Sequence, residues 1–420
     1  MKNSKPKVII IGGGFGGLAA AKKLKNKPVD VILIDKTNHH LFQPLLYQVA
    51  TAGLSPAYIA FPLRSIFRKS KNVRVILGEV KRIDRKEKKV YLNGENYSYD
   101  FLIVAVGAKH HYFGKDEWEK IAPGLKTLQD AINIREKILL AFEKAERIND
   151  PEEQQKYLNF IVVGGGPTGV EMAGAIAEIA RKTLIEDFKK IDPTKAKVYL
   201  VEALDRVLPT YPPKLSQKAK EDLEKLGVRV LLNTKVTDLN NDCVKLNGKE
   251  IKAATIIWAA GNKANPLVQQ LNCELDKMGR AIVSPYLHLK DDESVFVIGD
   301  AAAVYDEKGN TLPGVSPVAI TEGRYVAKFI LRKLKNKSSK PYKYINKGSL
   351  ATIGKAKAVA DFGWLRFSGF FAWLLWVFVH IFFLIGFKNR FIVMIEWIFA
   401  YFTYQKSARL IVGEKKIVDE

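Results

Sequence analysis

Cysteine is nearly absent from this 420-residue chain, which has only Cys243 and Cys273. Their spacing fits neither a disulfide framework nor a C-x-x-C metal or dithiol site, and it points to reducing, cytosolic surroundings. No export leader is expected from the first residues either. Lys2, Lys5 and Lys7 precede an apolar run that stops after residues 8–11, and five glycines then occur within the six residues 12–17. Acidic residues are scarce, 44 against 67 Lys and Arg, so the net charge is +23 and an anionic partner is favoured: nucleic acid, acidic lipid or a phosphate-bearing cofactor. Charge alone does not choose among these. Charged residues at 26% and hydrophobic ones at 47% exclude both a disordered chain and a multi-pass membrane protein. The length suits roughly two to four domains.

What the chain does have is glycine at particular places. The β-branched run 8–11 suits a strand buried on both faces, and Gly12, Gly14 and Gly17 follow in a G-x-G-x-x-G turn before helix-like residues 18–25. The first glycine permits the turn, the second lets the backbone approach a pyrophosphate, and the third packs helix on strand. A second apolar strand, 31–34, ends in Asp35, placed to accept from ribose hydroxyls. The pattern recurs as strand 160–163, then Gly164, Gly166, Pro167, Thr168 and Gly169, then a helix from Val170, then strand 198–201 ending in Glu202. Two nucleotides are implied. The second spacing is longer than usual, which a long helix and the connection 192–197 explain; otherwise the ribose contact falls to Asp205.

Three further apolar strands end in glycine: 101–106 at Gly107, 255–260 at Gly261, and 295–298 at Gly299-Asp300. Gly299 would admit a cofactor closely, and Asp300 would hold a ribitol hydroxyl of a flavin. With these in place the sequence resembles flavoproteins that have two dinucleotide-binding domains, one for FAD and one for NAD(P)H. In such a fold hydride passes from nicotinamide to flavin without a protein nucleophile. Disulfide reductases and sulfide:quinone oxidoreductases of this fold need cysteines near the flavin, and here Cys243 and Cys273 read as incidental.

The C-terminus suggests another electron acceptor. Residues 332–357 carry nine Lys or Arg and no acid, residues 369–387 carry no charge, and residues 391–404 carry only Glu396. Nineteen uncharged residues are enough for a single transmembrane helix. Against spanning stand the flanking cations Arg366, Lys388, Arg390, Lys406 and Arg409, His380 in mid-run, and an interfacial mix of phenylalanine and tryptophan. A pair of helices lying in one leaflet is ranked first, a span second and a buried core or dimer helix third. The polybasic approach would attract anionic lipid.

The whole chain then resembles type II NADH dehydrogenase, the non-pumping NADH:quinone oxidoreductase, through residues 10–17, 39–50, 162–174, 201–203, 299–300 and 348–354. The resemblance implies an α/β fold with two Rossmann-like domains and a C-terminal amphipathic or hydrophobic helical membrane-anchoring domain. It also implies non-covalent FAD, NADH as substrate, a quinone (ubiquinone or menaquinone) as acceptor, and a homodimer. The expected place is the cytoplasmic face of the cell membrane, with anionic lipids as partners and no nucleic acid. FAD would be held by Gly12, Gly14, Phe15, Gly16, Gly17, Asp35, Gly107, Gly299, Asp300, Val318 and Ala319. NADH would be held by Gly164, Gly166, Pro167, Thr168, Gly169, Glu202, which favours NADH over NADPH, and Gly261; Arg206 nearby weakens that preference.

Two family glutamines are replaced here by Pro317 and Thr321, which with Lys357 are the candidate quinone contacts. Ser316 would cap the helix that Pro317 begins, aiming its positive end at the flavin pyrimidine edge. Glu171 would lie in the first turn of the second nucleotide helix near nicotinamide and flavin, or serve that helix end structurally. Gln48 and Thr51 would face flavin or quinone, or pack a loop; Lys357 would pass protons or be a surface cation. The expected domains are 1–114 with 291–339 for FAD, 115–290 for NADH and 340–420 for the membrane. Competing functions are a soluble NAD(P)H reductase of ferredoxin, which leaves 369–404 unexplained, and a flavin-binding membrane sensor without turnover.

Overall fold

The computed structural model describes residues 5–406 and 408–411; Lys2 and the stretch 412–420 lie outside the described residues. In chain order its main elements are β1 (Lys7–Ile11), α1 (Phe15–Leu24), β2 (Asp30–Asp35), α2 (Leu46–Ala50), β3 (Val73–Leu77) and β4 (Phe101–Val104). Then come α3 (Leu128–Arg147), β5 (Asn159–Val163), α4 (Pro167–Glu178), β6 (Lys197–Val201), β7 (Val228–Leu231), β8 (Thr255–Trp258), β9 (His288–Leu289) and β10 (Asp292–Val297). The chain ends in α5 (Ser316–Lys333), β11 (Ser349–Gly354), β12 (Lys357–Asp361), β13 (Arg366–Ser368), α6 (Phe370–Phe383) and α7 (Phe387–Thr403). These form two compact units: Met1–Leu41, Ala60–Lys109 and Asn262–Ile345 make the first, and Phe42–Ile59, His110–Gly261 and Asn346–Glu420 the second.

The first unit is built on a six-stranded sheet in the order β9-β10-β4-β1-β2-β3, parallel except for the β9–β10 pair. The run of β-branched residues in β1 is buried on both faces, as a central parallel strand requires. Chain order runs from β1 outward on one side and from β4 outward on the other, so the switch point lies between them, with Gly12 and Gly107 at its rim. Helix α5 buries Val318, Ala319, Glu322, Gly323, Val326, Ala327 and Ile330 along one stripe. The large members of that stripe each contribute about 1.5–3 kcal/mol through burial. A Cβ on Gly323 would fall 2.1 Å from the Gly16 carbonyl oxygen, so α5 and α1 touch backbone to backbone.

The second unit repeats the design with a four-stranded parallel sheet, β7-β6-β5-β8, and its switch point between β5 and β8. Its C-terminal part is not purely helical. An antiparallel sheet, β11-β12-β13, comes before α6 and α7. Gly174 of α4 lies so close to β11 that an added Cβ would meet the Ile353 carbonyl oxygen at 1.9 Å. The alternative of a transmembrane span is not met: no helix among the described residues is long and apolar enough to cross a membrane. The apolar run 369–387 breaks where Leu384 turns extended and Gly386 takes φ of 91°. Gly174→Ala should therefore destabilise by about 1–3 kcal/mol through overpacking. Gly166→Ala, where a Cβ meets nothing within 4 Å, should leave the melting temperature of the nucleotide-free protein unchanged, and thermal unfolding of both variants checks this.

Candidate functional site

The two glycine turns have nearly the same geometry. Gly12 at φ of 102° and Gly164 at φ of 110° sit against the backbones of Ala105 and Ala259, where a Cβ would collide at 2.3 and 2.8 Å. A Cβ on Gly17 or Gly169 would come within 1.8 Å of the carbonyl oxygen of Gly12 or Gly164, so only glycine lets each helix close on its strand. Gly14 and Gly166 face open space and cap α1 and α4 without a side chain, which leaves first-turn N–H groups available to phosphate oxygens. Pro167 and Thr168 open α4 beside them. Each turn is braced by the carboxylate at the end of the next strand. Asp35 accepts from the N–H of Gly13 at 2.5 Å and of Thr37 at 2.7 Å. Glu202 accepts from the N–H of Gly165 at 2.5 Å and of Leu204 at 2.8 Å. The extra length before Glu202 is taken up by a π-helical turn at Ile179–Thr183 and a 3-10 turn at Pro193–Lys195. Asp205 is exposed beside Arg206, so the bracing position belongs to Glu202.

The rest of the flavin set lies with the first turn in the first unit. Gly107 and Gly299 both take φ of 67° after their strands, and the Gly299 N–H donates to buried Glu322 at 2.6 Å. Burial raises the Glu322 carboxyl to about 8 against that hydrogen bond. A Cβ added to Gly314 would meet the Asp300 carboxylate at 3.1 Å, and one added to Gly16 or Gly299 would meet Ala319 at 3.2 or 3.4 Å. Val318 is buried next to it. The ring of Phe15 meets His40 edge-on at 5.1 Å, and His40 Nδ1–H donates to the Gly13 carbonyl oxygen at 3.0 Å. These backbone-lined cradles, in which a Cβ would intrude, fit a dinucleotide in each unit. Helix α5 starts one residue earlier than expected: Val315 is its cap, and Ser316 and Pro317 are its first helical residues. Thr321 turns its hydroxyl onto the carbonyls of Pro317 and Val318 and contacts the Tyr342 hydroxyl at 2.8 Å.

The second unit gathers Glu171, Gln48, Thr51 and Lys357. Because α4 begins at Pro167, Glu171 is its fifth residue, beyond the first turn. With Gly174 and Glu178 it forms the stripe that faces β11. Glu178 accepts the Lys355 N–H at 2.6 Å. Burial raises the Glu171 carboxyl to about 8, and hydrogen bonding from the Thr352 backbone only partly opposes this. Burial, then Glu171 and then Glu178 also raise the Tyr47 phenol. Thr51 is buried, its hydroxyl donating to the Tyr47 carbonyl at 2.9 Å. Lys357 is half-buried at the start of β12, and its carbonyl accepts from Thr352 Oγ1 at 3.2 Å. Gly261, at φ of 69°, approaches the His111 carbonyl.

Several residues here gave no clear signal in the sequence. Lys406 reads as a flanking cation, but the structure buries its ammonium, 3.3 Å from the Thr51 carbonyl, and burial lowers it to about 8 although Glu178 opposes the shift. Arg409, read the same way, pairs with Asp187. Lys355 sits 3.5 Å over the Tyr404 ring and 4.7 Å from that of Tyr401. The Trp397 indole donates to Gln48 Oε1 at 2.7 Å, and Gln48 Nε2 donates to the Tyr47 hydroxyl at 2.9 Å. His380 stacks on Trp376 at 4.0 Å, Trp376 lies 5.3 Å from Trp397, and the Trp376 indole nitrogen is buried without a partner among the described residues. Only the apolar run itself hinted at this cluster.

The outer surfaces of α6 and α7 are apolar. Phe371, Phe378, Phe382, Phe387, Phe399 and Phe402 are all exposed. Lone exposed apolar residues are ordinary, but a row of phenylalanines on adjoining helices marks an interaction surface.

The pyridine nucleotide-disulphide oxidoreductase family matches residues 6–323, and the NDH2 C-terminal domain matches residues 346–404. The chain is 44% identical to "Type II NADH:quinone oxidoreductase Ndh" of Mycobacterium tuberculosis, over 97% of this chain and 91% of that protein. It is 31% identical to "Type II NADH:quinone oxidoreductase" of Haemophilus influenzae, over 86% of this chain and 87% of that protein. Among solved structures, NDH2 of Plasmodium falciparum in complex with NADH matches at a TM-score of 0.88 and 23% identity, covering 97% of this chain and all of that one. Sulfide:quinone oxidoreductase of Aquifex aeolicus matches at a TM-score of 0.74 and 18% identity, over 92% and 91%. These two likenesses show the fold.

The raised Glu171 carboxyl has a stability consequence. A carboxyl whose folded pKa exceeds its unfolded value stabilises the fold below the unfolded value, and this contribution is lost as pH rises through the folded one. The wild-type holoprotein should lose melting temperature relative to Glu171→Gln as pH rises from roughly 5 to 8, with the two curves parallel above about 9, as thermal scans across pH will read.

Proposed function

Because the chain belongs to the type II NADH:quinone oxidoreductases, we infer that it transfers two electrons from NADH through FAD to a membrane quinone, without pumping protons. The observation that carries this is the joining of two glycine-turn cradles to an NDH2 C-terminal domain with an exposed aromatic face. FAD, held non-covalently, supplies the two-electron carrier chemistry that this chain's own side chains lack.

The chain's own residues provide binding and electrostatics. Backbone N–H groups around Gly12, Gly14, Phe15, Gly16 and Gly17 would receive the flavin pyrophosphate, and those around Gly164, Gly166, Pro167, Thr168 and Gly169 that of NADH. Asp35 and Glu202 have one hand on their own loops and would offer their remaining lone pairs to ribose hydroxyls. Gly107, Gly299, Asp300, Val318 and Ala319 would line the flavin side, and Gly261 the nicotinamide side. The free N-terminal end of α5 is positive and would favour negative charge on the pyrimidine edge of the reduced flavin. Glu171 keeps its proton at neutral pH and so brings no negative charge to the site. Gln48 would donate to a quinone carbonyl. Thr51 would contribute only as an acceptor, because its hydroxyl hydrogen goes to the Tyr47 carbonyl. Pro317, Thr321 and Lys357 are proposed as further quinone contacts, Pro317 by packing alone.

The protein is membrane-associated. The exposed phenylalanines of α6 and α7 support in-plane anchoring in one leaflet, at the cytoplasmic face, with anionic lipids drawn by the basic residues around them. Ubiquinone or menaquinone as the acceptor and a homodimer as the assembly belong to the same proposal.

Anaerobic stopped flow tests the cycle. NADH should bleach the flavin, and a short-chain quinone, not ferredoxin, should restore its absorbance. Restoration by ferredoxin alone would favour a soluble reductase, and no bleaching would favour a sensor. Removing the Glu202 charge, which would repel a 2′-phosphate, should shift the ratio of kcat/KM toward NADPH by about tenfold in Glu202→Gln. An unchanged ratio in steady-state assays would remove Glu202 from nucleotide choice.

A further inference from the structure

Helix α7 carries exposed phenylalanines on its outer side, yet it also makes a polar contact with α2, and chemistry fixes the direction of that contact. The nitrogen of the Trp397 indole lies 2.7 Å from the amide of Gln48. An indole N–H can only donate, so the amide end that meets it must be the oxygen. The amide nitrogen is thereby turned the other way, where it donates one hydrogen to the Tyr47 hydroxyl at 2.9 Å. A primary amide has two N–H groups, and the second has no partner among the described residues.

We propose that Trp397 is a positioning residue for quinone reduction, holding the Gln48 oxygen so that the second Nε2–H of Gln48 is presented to a quinone carbonyl oxygen. The proposal rests on the reading of Gln48 as a quinone donor. Without the indole, the amide is free to rotate by half a turn. It would then offer its oxygen to another oxygen, which repels instead of binding. The surroundings suit a flat, conjugated ring. Phe42 meets His380 edge-on at 6.2 Å, His380 stacks on Trp376, and Trp376 packs against Trp397. His380 has Nδ1–H committed to the Trp376 carbonyl at 2.7 Å, and burial lowers its ring to about 4, so this wall is neutral at physiological pH. Trp397 itself is only half-buried, so its replacement opens no sealed core.

The test uses the full-length flavoenzyme and compares Trp397→Phe, Trp397→His, Gln48→Leu and the double variant Trp397→Phe/Gln48→Leu. Bleaching of the flavin by NADH reads the nicotinamide side, and kcat/KM for a short-chain benzoquinone reads the quinone side. Trp397→Phe should lower quinone kcat/KM about tenfold, chiefly through KM, with bleaching unchanged, and Trp397→His, which retains a ring N–H, should recover part of the loss. In the Gln48→Leu background, Trp397→Phe should cost less than about twofold more, because residues acting through one contact are not additive. Wild-type quinone kinetics in Trp397→Phe would overturn the proposal. So would an equal loss on top of Gln48→Leu, or slowed bleaching. Unchanged quinone kinetics in Gln48→Leu alone would instead overturn the reading of Gln48, and the role of Trp397 with it.

Discussion

A side chain missing at Gly17 and again at Gly169 is the constraint on which both nucleotide cradles depend. At each place a single added carbon would sit inside the carbonyl of the first glycine of the turn, so strand, turn and helix could not close. Closure aligns the free N–H groups of α1 and α4 with the switch points of their sheets, where the strand order reverses and a crevice opens. The carboxylates of Asp35 and Glu202 then hold these turns by short hydrogen bonds to backbone N–H groups. The same side chains are the ones proposed to hold the ribose, which would tie nucleotide recognition to loop geometry.

Much of this was legible in the residues themselves. Buried parallel strands show as short β-branched runs, and a positive φ beside a close backbone approach selects glycine, so β1, β5 and both turns could be placed to within a residue or two. Elements whose positions depend on partners distant in sequence were harder to read. The cap of α5 falls on Val315 instead of Ser316, because the helix gains a residue without any side-chain cap. The sheet β11-β12-β13 reads weakly in a segment where a basic run and an apolar run dominate the pattern. Lys406 is the clearest case. A lysine just beyond an apolar helix normally reaches for water or phosphate, and only the fold shows its ammonium turned inward to the Thr51 carbonyl.

The candidate site follows the same division. The glycines, Asp35, Glu202 and Gly299 are readable because backbone chemistry demands them at fixed spacings. Roles for Gln48, Glu171 and Thr51 depend on what α4, β11 and α7 bring to them, and no spacing rule connects residues 48 and 397. Thr51 illustrates the limit. A threonine beside a glutamine after an aromatic stretch suggests a hydroxyl for a ligand, yet the α2 backbone takes that hydroxyl back through an i to i−4 hydrogen bond.

The burial that makes α4 a tight neighbour of β11 also shapes its charges. Gly174 allows the contact, and the residues three before and four after it, Glu171 and Glu178, are carried onto the same stripe by helical periodicity. Glu178 accepts the Lys355 N–H, and Glu171, its carboxyl raised by burial, holds its proton at neutral pH. Lys355 in turn lies over Tyr401 and Tyr404 at the end of α7, a cation–π contact of about 0.5–2 kcal/mol. Helix α4, the hairpin β11–β12 and α7 are therefore joined through successive short contacts within one unit. Tyr401 and Trp397 lie on the same helix, so a rigid shift of α7 relative to the hairpin would disturb the cation–π contact and the Trp397 indole together. The geometry around Gln48 is thus coupled to groups that themselves need not touch any substrate.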